Sequence, residues 1–510
     1  MDLKSWSWIG DWTGRRALLT PKSEAIVDNI QNKRYTFEEM DTRANQVARI
    51  LLDSGIEKGD RVGIYSKNRF DFLDVLFACG KVGAILTPFN IRLTTPEIEY
   101  LLKKTDPSLV FYDPDLQAQF SELRPFLGKK RQIVMGEKSV GSDPNLHSLR
   151  TSNSPSAVER PAITLDDPYL IVFTGGTTGL PKGAILSHGL VFWNSINTIT
   201  SWGLRPDDIQ PLLFPLFHTG GMNVLLIPFY HLGALSIIMG DFDPEETLRV
   251  IEEERCSIVI GVPTMFNMIS QSASFEKTNF DHVRVFISGG APCPVAIMEK
   301  YWARGKILKM GYGLTEVGPN NFHLPDDAVK ERPTSVGFPA FHCDTMIVDD
   351  DNNEVESGKV GELMLRGPHA FSGYWDEPEE TAKVIEPDGW VHTGDLVMKD
   401  QDGFYYIVGR KKDMFISGGE NVFPTEIEEI LYKHPKVSES AVIGVPDDKW
   451  GEVGKAFIVL RSGESMTTEE VRAYFDGKLA RYKIPKYYEF REDLPKSAAG
   501  KILKRELEEK

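Results

Sequence analysis

Five consecutive apolar residues, Tyr169-Leu170-Ile171-Val172-Phe173, run directly into Thr174-Gly175-Gly176-Thr177-Thr178-Gly179-Leu180-Pro181-Lys182-Gly183. The short apolar run reads as a buried strand, so the loop emerges from the edge of a sheet. Its glycines let the backbone turn until the amides point inward, and the threonine hydroxyls and Lys182 add further donors. Physically this is a cradle for a polyphosphate. It is not the GxxxxGK[ST] loop, because Lys182 is followed by Gly183 and not by a hydroxyl residue.

The pattern on either side predicts an α/β chain. The 35–52 segment is amphipathic with an acidic first turn at Glu38 and Glu39, 60–65 reads as a strand, and 71–82 as another helix. Such alternation predicts parallel sheets covered by helices. The stretch 139–167 is rich in Ser, Pro, Asn and charge, and reads as a surface connection between subdomains. The βα rhythm then resumes, with strands expected at 258–262, 283–288 and 307–310. From 336 to 408 short strands separated by Gly and Asp turns predict an antiparallel, barrel-like piece. A last, compact α+β unit begins near residue 410, with helices expected at 424–434 and 468–479 and strands at 440–445 and 456–460.

With 510 residues, roughly three domain-sized units are expected. The net charge of -16 disfavours nucleic acid as a partner, and means that an anionic substrate must meet a local positive site. Cys79, Cys256, Cys293 and Cys343 are widely separated, which reads as reduced, buried thiols without structural zinc. No apolar stretch reaches the roughly 18 residues of a membrane span. The N-terminus lacks signal-peptide character and the C-terminus a peroxisomal tripeptide; a cytoplasmic protein is expected.

Further motifs follow in order: Gly311-Tyr312-Gly313-Leu314-Thr315-Glu316, Thr393-Gly394-Asp395, Gly409-Arg410-Lys411-Lys412-Asp413 and Pro495-Lys496-Ser497-Ala498-Ala499-Gly500-Lys501. With the glycine loop they make the chain resemble the adenylate-forming superfamily of acyl- and aryl-CoA ligases, over nearly its whole length. The resemblance implies a large N-terminal AMP-binding domain (1–409), a hinge at 410–412 and a small mobile C-terminal domain (413–510). It also implies ATP, Mg²⁺ and coenzyme A as cofactors. A carboxylate is a poor electrophile, so it would be activated by attack on the α-phosphorus of ATP with loss of pyrophosphate. Two anions must then be brought together, which requires cations and amide dipoles.

By the same resemblance, Thr174, Gly175, Gly176, Thr177, Thr178, Gly179 and Lys182 would hold the β and γ phosphates. Glu316 would bind Mg²⁺ with Thr315 beside it. Tyr312 would stack on adenine next to Gly289, Gly290 and Ala291, with Gly313 in the same motif. Asp395 would accept from the ribose hydroxyls, helped by Arg410. Lys501 would be the catalytic lysine of the first half-reaction, while Lys496, Lys504 and Arg505 would be merely solvated. The second half-reaction, thiolysis by CoA, would need the C-terminal domain to rotate about Lys412. Gly419 would then leave room for pantetheine, and Trp450 would lie near the CoA nucleotide.

The segment Phe214-Pro215-Leu216-Phe217-His218-Thr219-Gly220-Gly221 resembles the acyl-positioning stretch of the family. His218 stands where amino-acid-activating relatives carry Asp, which disfavours an α-amino acid; it would contact the carboxylate or gate the pocket. Phe217, Met222, Val224, Val262, Met265 and Phe266 suit an alkyl or aryl group. The C-terminal half looks most like fatty-acyl-CoA ligases, so a medium- or long-chain fatty acid is expected. An aryl acid, or an acyl-AMP handed to a carrier protein, is the alternative. A homodimer is the base-rate assembly, and peripheral contact with a bilayer would help collect a poorly soluble acid.

Overall fold

The structure is a computed structural model that describes residues 6–174, 181–497 and 500–508. The predicted layering is present as three sheets of mainly parallel strands. The first has six strands in the order Arg131–Val134, Leu109–Tyr112, Arg61–Tyr65, Ile85–Pro88, Pro168–Thr174 and Lys182–Ser187. All pairs are parallel except the last, where Lys182–Ser187 returns antiparallel to Pro168–Thr174. Thr174 and Lys182, on either side of the glycine stretch, are thus paired at the edge of this sheet.

A second sheet orders Lys33–Thr36, Glu24–Asp28, Leu235–Ile238 and Ile209–Leu212. The third contains Ile258–Gly261, Val285–Ser288 and Leu308–Met310, all parallel. The Ser257 N–H donates to the Ile209 carbonyl at 2.8 Å, stitching the second sheet to the third.

Local chemistry explains the helices between them. Helix Phe37–Asp53 starts at Thr36, whose hydroxyl accepts from the Glu39 N–H while the Glu39 carboxylate accepts from the Thr36 N–H. This reciprocal cap satisfies two otherwise orphaned donors. The helix buries Phe37, Met40, Ala44, Val47, Ala48 and Leu51. Helix Phe70–Val82 is buried along its whole length, and its Asp74 is met by Arg43 at 2.9 and 2.6 Å. The 139–167 connection contains one short helix, Leu146–Thr151, started by the Asn145 side chain. Six residues are too few for the hydrophobic period to show in sequence.

The barrel-like expectation is realised as a six-stranded, antiparallel sheet, ordered Phe322–His323, Ser335–Pro339, Tyr405–Arg410, Val391–Lys399, Val360–Arg366 and Asp344–Val348. The last unit has its own sheet, in which Gly451–Leu460 pairs with Val437–Asp447 and Phe415–Ser417 and takes Tyr487–Arg491 in parallel. It also has its own core of Phe415, Val422, Ile427, Leu431, Val442, Ile458 and Phe475, as expected of a body that folds as a unit.

All four cysteines are free and buried. Burial raises every one of these thiols, Cys293 and Cys343 to about 12 and Cys79 and Cys256 higher still. No helix among the described residues is long and apolar enough to cross a membrane.

Candidate active site

The three parallel strands of the third sheet end together, where α/β proteins place their ligands. Ser288 leads into Gly289 and Gly290, and Met310 into Gly311. The Gly289 N–H donates to Gly261 O at 3.0 Å and the Gly311 N–H to Ser288 O at 2.8 Å, which keeps the strand ends in register. Gly313 is forced by contact: a Cβ there would lie 2.0 Å from the Pro319 carbonyl oxygen. The turn Thr315–Val317 then presents Glu316.

The antiparallel sheet supplies the facing wall. Asp395 and Arg410 are direct partners in its register. Arg410 Nε lies 2.8 Å from Asp395 Oδ1, and the Tyr312 hydroxyl donates to Asp395 Oδ2 at 2.7 Å. Both carboxylate oxygens are thus held by the large body, which orients them for a further donor. Asp395 raises the Arg410 guanidinium above its ordinary range, so that cation is permanent. Replacing Asp395 by Ala strands both partners. We expect about 2 kcal/mol of lost stability, read by thermal denaturation, and at least a tenfold rise in KM for ATP.

Glu316 Oε1 accepts from the Thr174 hydroxyl at 3.3 Å and the Tyr374 hydroxyl at 3.0 Å. Lys182 pairs with Glu380 and lies 5.1 Å from the centre of the Tyr374 ring. Tyr374 and Glu380 are site residues that sequence reasoning missed. They stand in a stretch, 367–382, that carries none of the quoted motifs. Gly175, Gly176, Thr177, Thr178 and Gly179 lie outside the described residues, as do Ala498 and Ala499.

Lys501, far away in sequence, completes the centre. Its Cε is 2.9 Å and its Nζ 3.8 Å from the position that a Cβ on Gly290 would occupy, and Gly290 has a φ of +83°. Only glycine accommodates both the left-handed backbone and the lysine stem. The next glycine, Gly500, packs on Val262 and Thr264. Burial depresses the Lys501 pKa below 10.5, as does the neighbouring Arg410, with Asp395 and Glu316 opposing.

His218 is pulled down to about 4, first by burial and then by Lys501. Its Nδ1 accepts from the Gly220 N–H at 3.0 Å, so the neutral ring carries its proton on Nε2.

Three predicted residues are not at this centre. Gly419, with φ +88° and no atom within 4 Å of a built Cβ, is exposed. Trp450 packs its ring on Gly418 and is 47% exposed. Lys412 is exposed, whereas Lys411 is tied to the large body through Asp350 at 2.9 Å and Glu362 at 3.3 Å. The basic tail is not simply solvated: Lys496 pairs with Glu439 and Asp493, and Lys504 with Glu428. The acidic strand and helix beside it offered partners that no local pattern revealed.

The family model "AMP-binding enzyme" matches residues 14–375, and "AMP-binding enzyme C-terminal domain" matches 426–501. The chain is 36% identical to a feruloyl-CoA synthase of Amycolatopsis sp over 98% of both chains. It is 34% identical to the long-chain-fatty-acid–CoA ligase FadD13 of Mycobacterium tuberculosis, again over 98% of both. Among solved structures, ATP-bound MatB from Rhodopseudomonas palustris superposes with a TM-score of 0.89 at 31% identity, covering 98% of each chain. The chain therefore belongs to the AMP-binding enzymes, as an AMP-forming acyl-CoA synthetase that uses ATP, Mg²⁺ and coenzyme A.

Proposed function

We propose that the described site catalyses the first half-reaction in this pose, and that the acid is a compact apolar one, an aryl or arylalkenoic acid. The observation that carries the mechanism is Lys501 lodged against Gly290 while Gly419 and Trp450 stand in solvent. Thr174 and Lys182 would draw in the terminal phosphates, with Lys182 exchanging Glu380 for phosphate oxygens. Glu316 is the residue to hold Mg²⁺. Among the described residues both hydrogen bonds of its carboxylate fall on Oε1, which leaves Oε2 as a hard oxygen donor of the kind that ion takes. Bound there, the ion would supply neutralisation of phosphate charge.

The pre-oriented Asp395 would take the ribose, and the Tyr312 ring would lie along adenine. Lys501 would bridge the carboxylate and the α-phosphate, offsetting charge as the acyl–phosphate bond forms and pyrophosphate leaves. His218 Nε2–H would donate to the carboxylate. Rotation at 410–412 would withdraw Lys501 and bring Gly419 to the tunnel, where the thiol attacks the carbonyl and AMP departs.

The choice of acid is supported by similarity to feruloyl-CoA synthase and by a buried layer behind His218. Phe214, Val224, Ile260, Val262 and Ile287 belong to one buried apolar cluster. A fatty acid is the second reading. It is supported by the similarity to the long-chain-fatty-acid–CoA ligase FadD13. A homodimer belongs to the same reading, on base-rate grounds.

Product analysis with ATP, Mg²⁺, CoA and pooled acids from octanoate to palmitate, benzoate and coumarate tests both readings. Aryl-CoA should dominate. Palmitoyl-CoA in excess would select the second reading, and acyl-AMP alone would hand the second step to a carrier protein.

The pH profile should carry the signature of Lys501 alone. Lys501 acts as an ammonium, so adenylation should fall as pH rises through its depressed pKa, earlier than an ordinary lysine's 10.5. His218 gains a proton only on approach to about 4, so it should add no inflection across about pH 5–8. Pyrophosphate release against pH, in wild type and His218→Gln, checks this.

A further inference from the structure

The edge strand Lys182–Ser187 carries a further segment along its outer side. The Ser372 N–H donates to the Ile185 carbonyl at 3.1 Å, the Ile185 N–H to the Gly373 carbonyl at 2.9 Å, and the Trp375 N–H to the Gly183 carbonyl at 2.7 Å. Tyr374 is thereby bridged to Ala184, two residues after Lys182. The Tyr374 N–H donates in turn to the Thr381 hydroxyl at 2.9 Å, on helix Pro378–Ala382. A side chain on Gly373, whose φ is +123°, would strike Thr381 at 2.6 Å, so only glycine lets the segment lie this close to the helix. The same helix carries Glu380, and these anchors deliver it to Lys182 from 198 residues away.

Lys182 is only 9% exposed, and among the described residues Glu380 is the one carboxylate paired with its ammonium. Glu380 gives Oε2 to Lys182 and Oε1 to Lys383. Those two lysines, Lys182 foremost, pull the Glu380 carboxyl down to about 2, so it is an anion whenever the enzyme is folded and working. A carboxylate oxygen and a terminal phosphate oxygen are alternative acceptors for the same ammonium. A largely buried cation left without either is costly, so one anion should leave only as the other arrives.

We propose that Glu380 is a built-in competitor of pyrophosphate: it yields Lys182 when ATP enters and reclaims it to expel the product. This rests on the reading above in which Lys182 meets the terminal phosphates. The re-formed ion pair offsets the lost phosphate contact, so pyrophosphate is held less tightly than the cradle alone would hold it. Release matters for direction. Pyrophosphate that lingers can attack the adenylate phosphorus, re-form ATP and set the carboxylate free; once it has gone, the acyl group is committed to the thiol.

Calorimetric titration of the full chain with magnesium pyrophosphate, without acid or CoA, measures the competition directly. Glu380→Gln keeps the size of the side chain and should bind pyrophosphate about fivefold tighter, the scale of one ion pair near a protein surface. Its acyl-CoA synthesis should become more sensitive to added pyrophosphate by the same factor. Glu379→Gln removes an equal charge one residue away, at an exposed position, and should change binding less than about twofold. Equal tightening in both variants, or none in Glu380→Gln, overturns the proposal. Lys182→Ala is the control and should weaken pyrophosphate binding about tenfold. If it does not, the phosphate reading of Lys182 fails; if it does while Glu380→Gln binds as wild type, only the competitor fails.

Discussion

Replacing Lys501 by alanine is expected to lower acyl-adenylate formation about a thousandfold, while thiolysis of supplied acyl-adenylate survives. The lysine sits within the nucleotide centre, close enough to Arg410, Asp395 and Glu316 to feel all three charges. Removing it leaves two anions to approach each other without the cation between them. Binding should suffer less than chemistry, because Asp395, Tyr312 and Thr174 all belong to the large body and keep their geometry. The measurement is rapid-quench pyrophosphate release beside acyl-CoA formation from synthetic acyl-adenylate. A large drop in both would show that Lys501 is not confined to one half-reaction.

Gly419→Leu should give the mirror image, with thiolysis lowered at least a hundredfold and adenylation nearly untouched. A built Cβ on Gly419 meets nothing within 4 Å, so the leucine clashes with nothing in this pose. Its cost here is the φ of +88°, which L side chains adopt at about 1–3 kcal/mol. In the second pose the same leucine would fill the space intended for pantetheine. Gly419→Ala should be milder in both respects. If Gly419→Leu slowed adenylation as severely as thiolysis, the exposed loop would have no separate duty.

Much of this architecture was legible because local rules and tertiary structure agree. Thr36 with Glu39 announces a helix start, and the βα rhythm announces parallel sheets. The ordered motifs gathered Tyr312, Glu316, Asp395, Arg410 and Lys501, which the structure brings to one centre. What escaped was chemistry with no local signature. Tyr374 and Glu380 act through contacts with Glu316 and Lys182, 58 and 198 residues away in sequence. The partners of Lys496 and Lys504 were hidden for the same reason, since sequence shows charge but not what faces it. Acid preference is the hardest case, because the depth of a pocket depends on how layers from 204 to 287 pack.

The burial of every cysteine has a consequence for a protein that makes an acylating agent inside itself. A mixed anhydride will react with any thiolate within reach, including the enzyme's own. Sulfur reacts as thiolate, and an ordinary cysteine is a few per cent ionised near neutrality. With Cys293 and Cys343 at about 12, and Cys79 and Cys256 higher, none offers appreciable thiolate. Cys293, two residues beyond Ala291, is the closest in sequence to the nucleotide loop, and it too is sealed. Self-acylation on sulfur is thereby disfavoured, which leaves the activated carbonyl to the incoming thiol of coenzyme A.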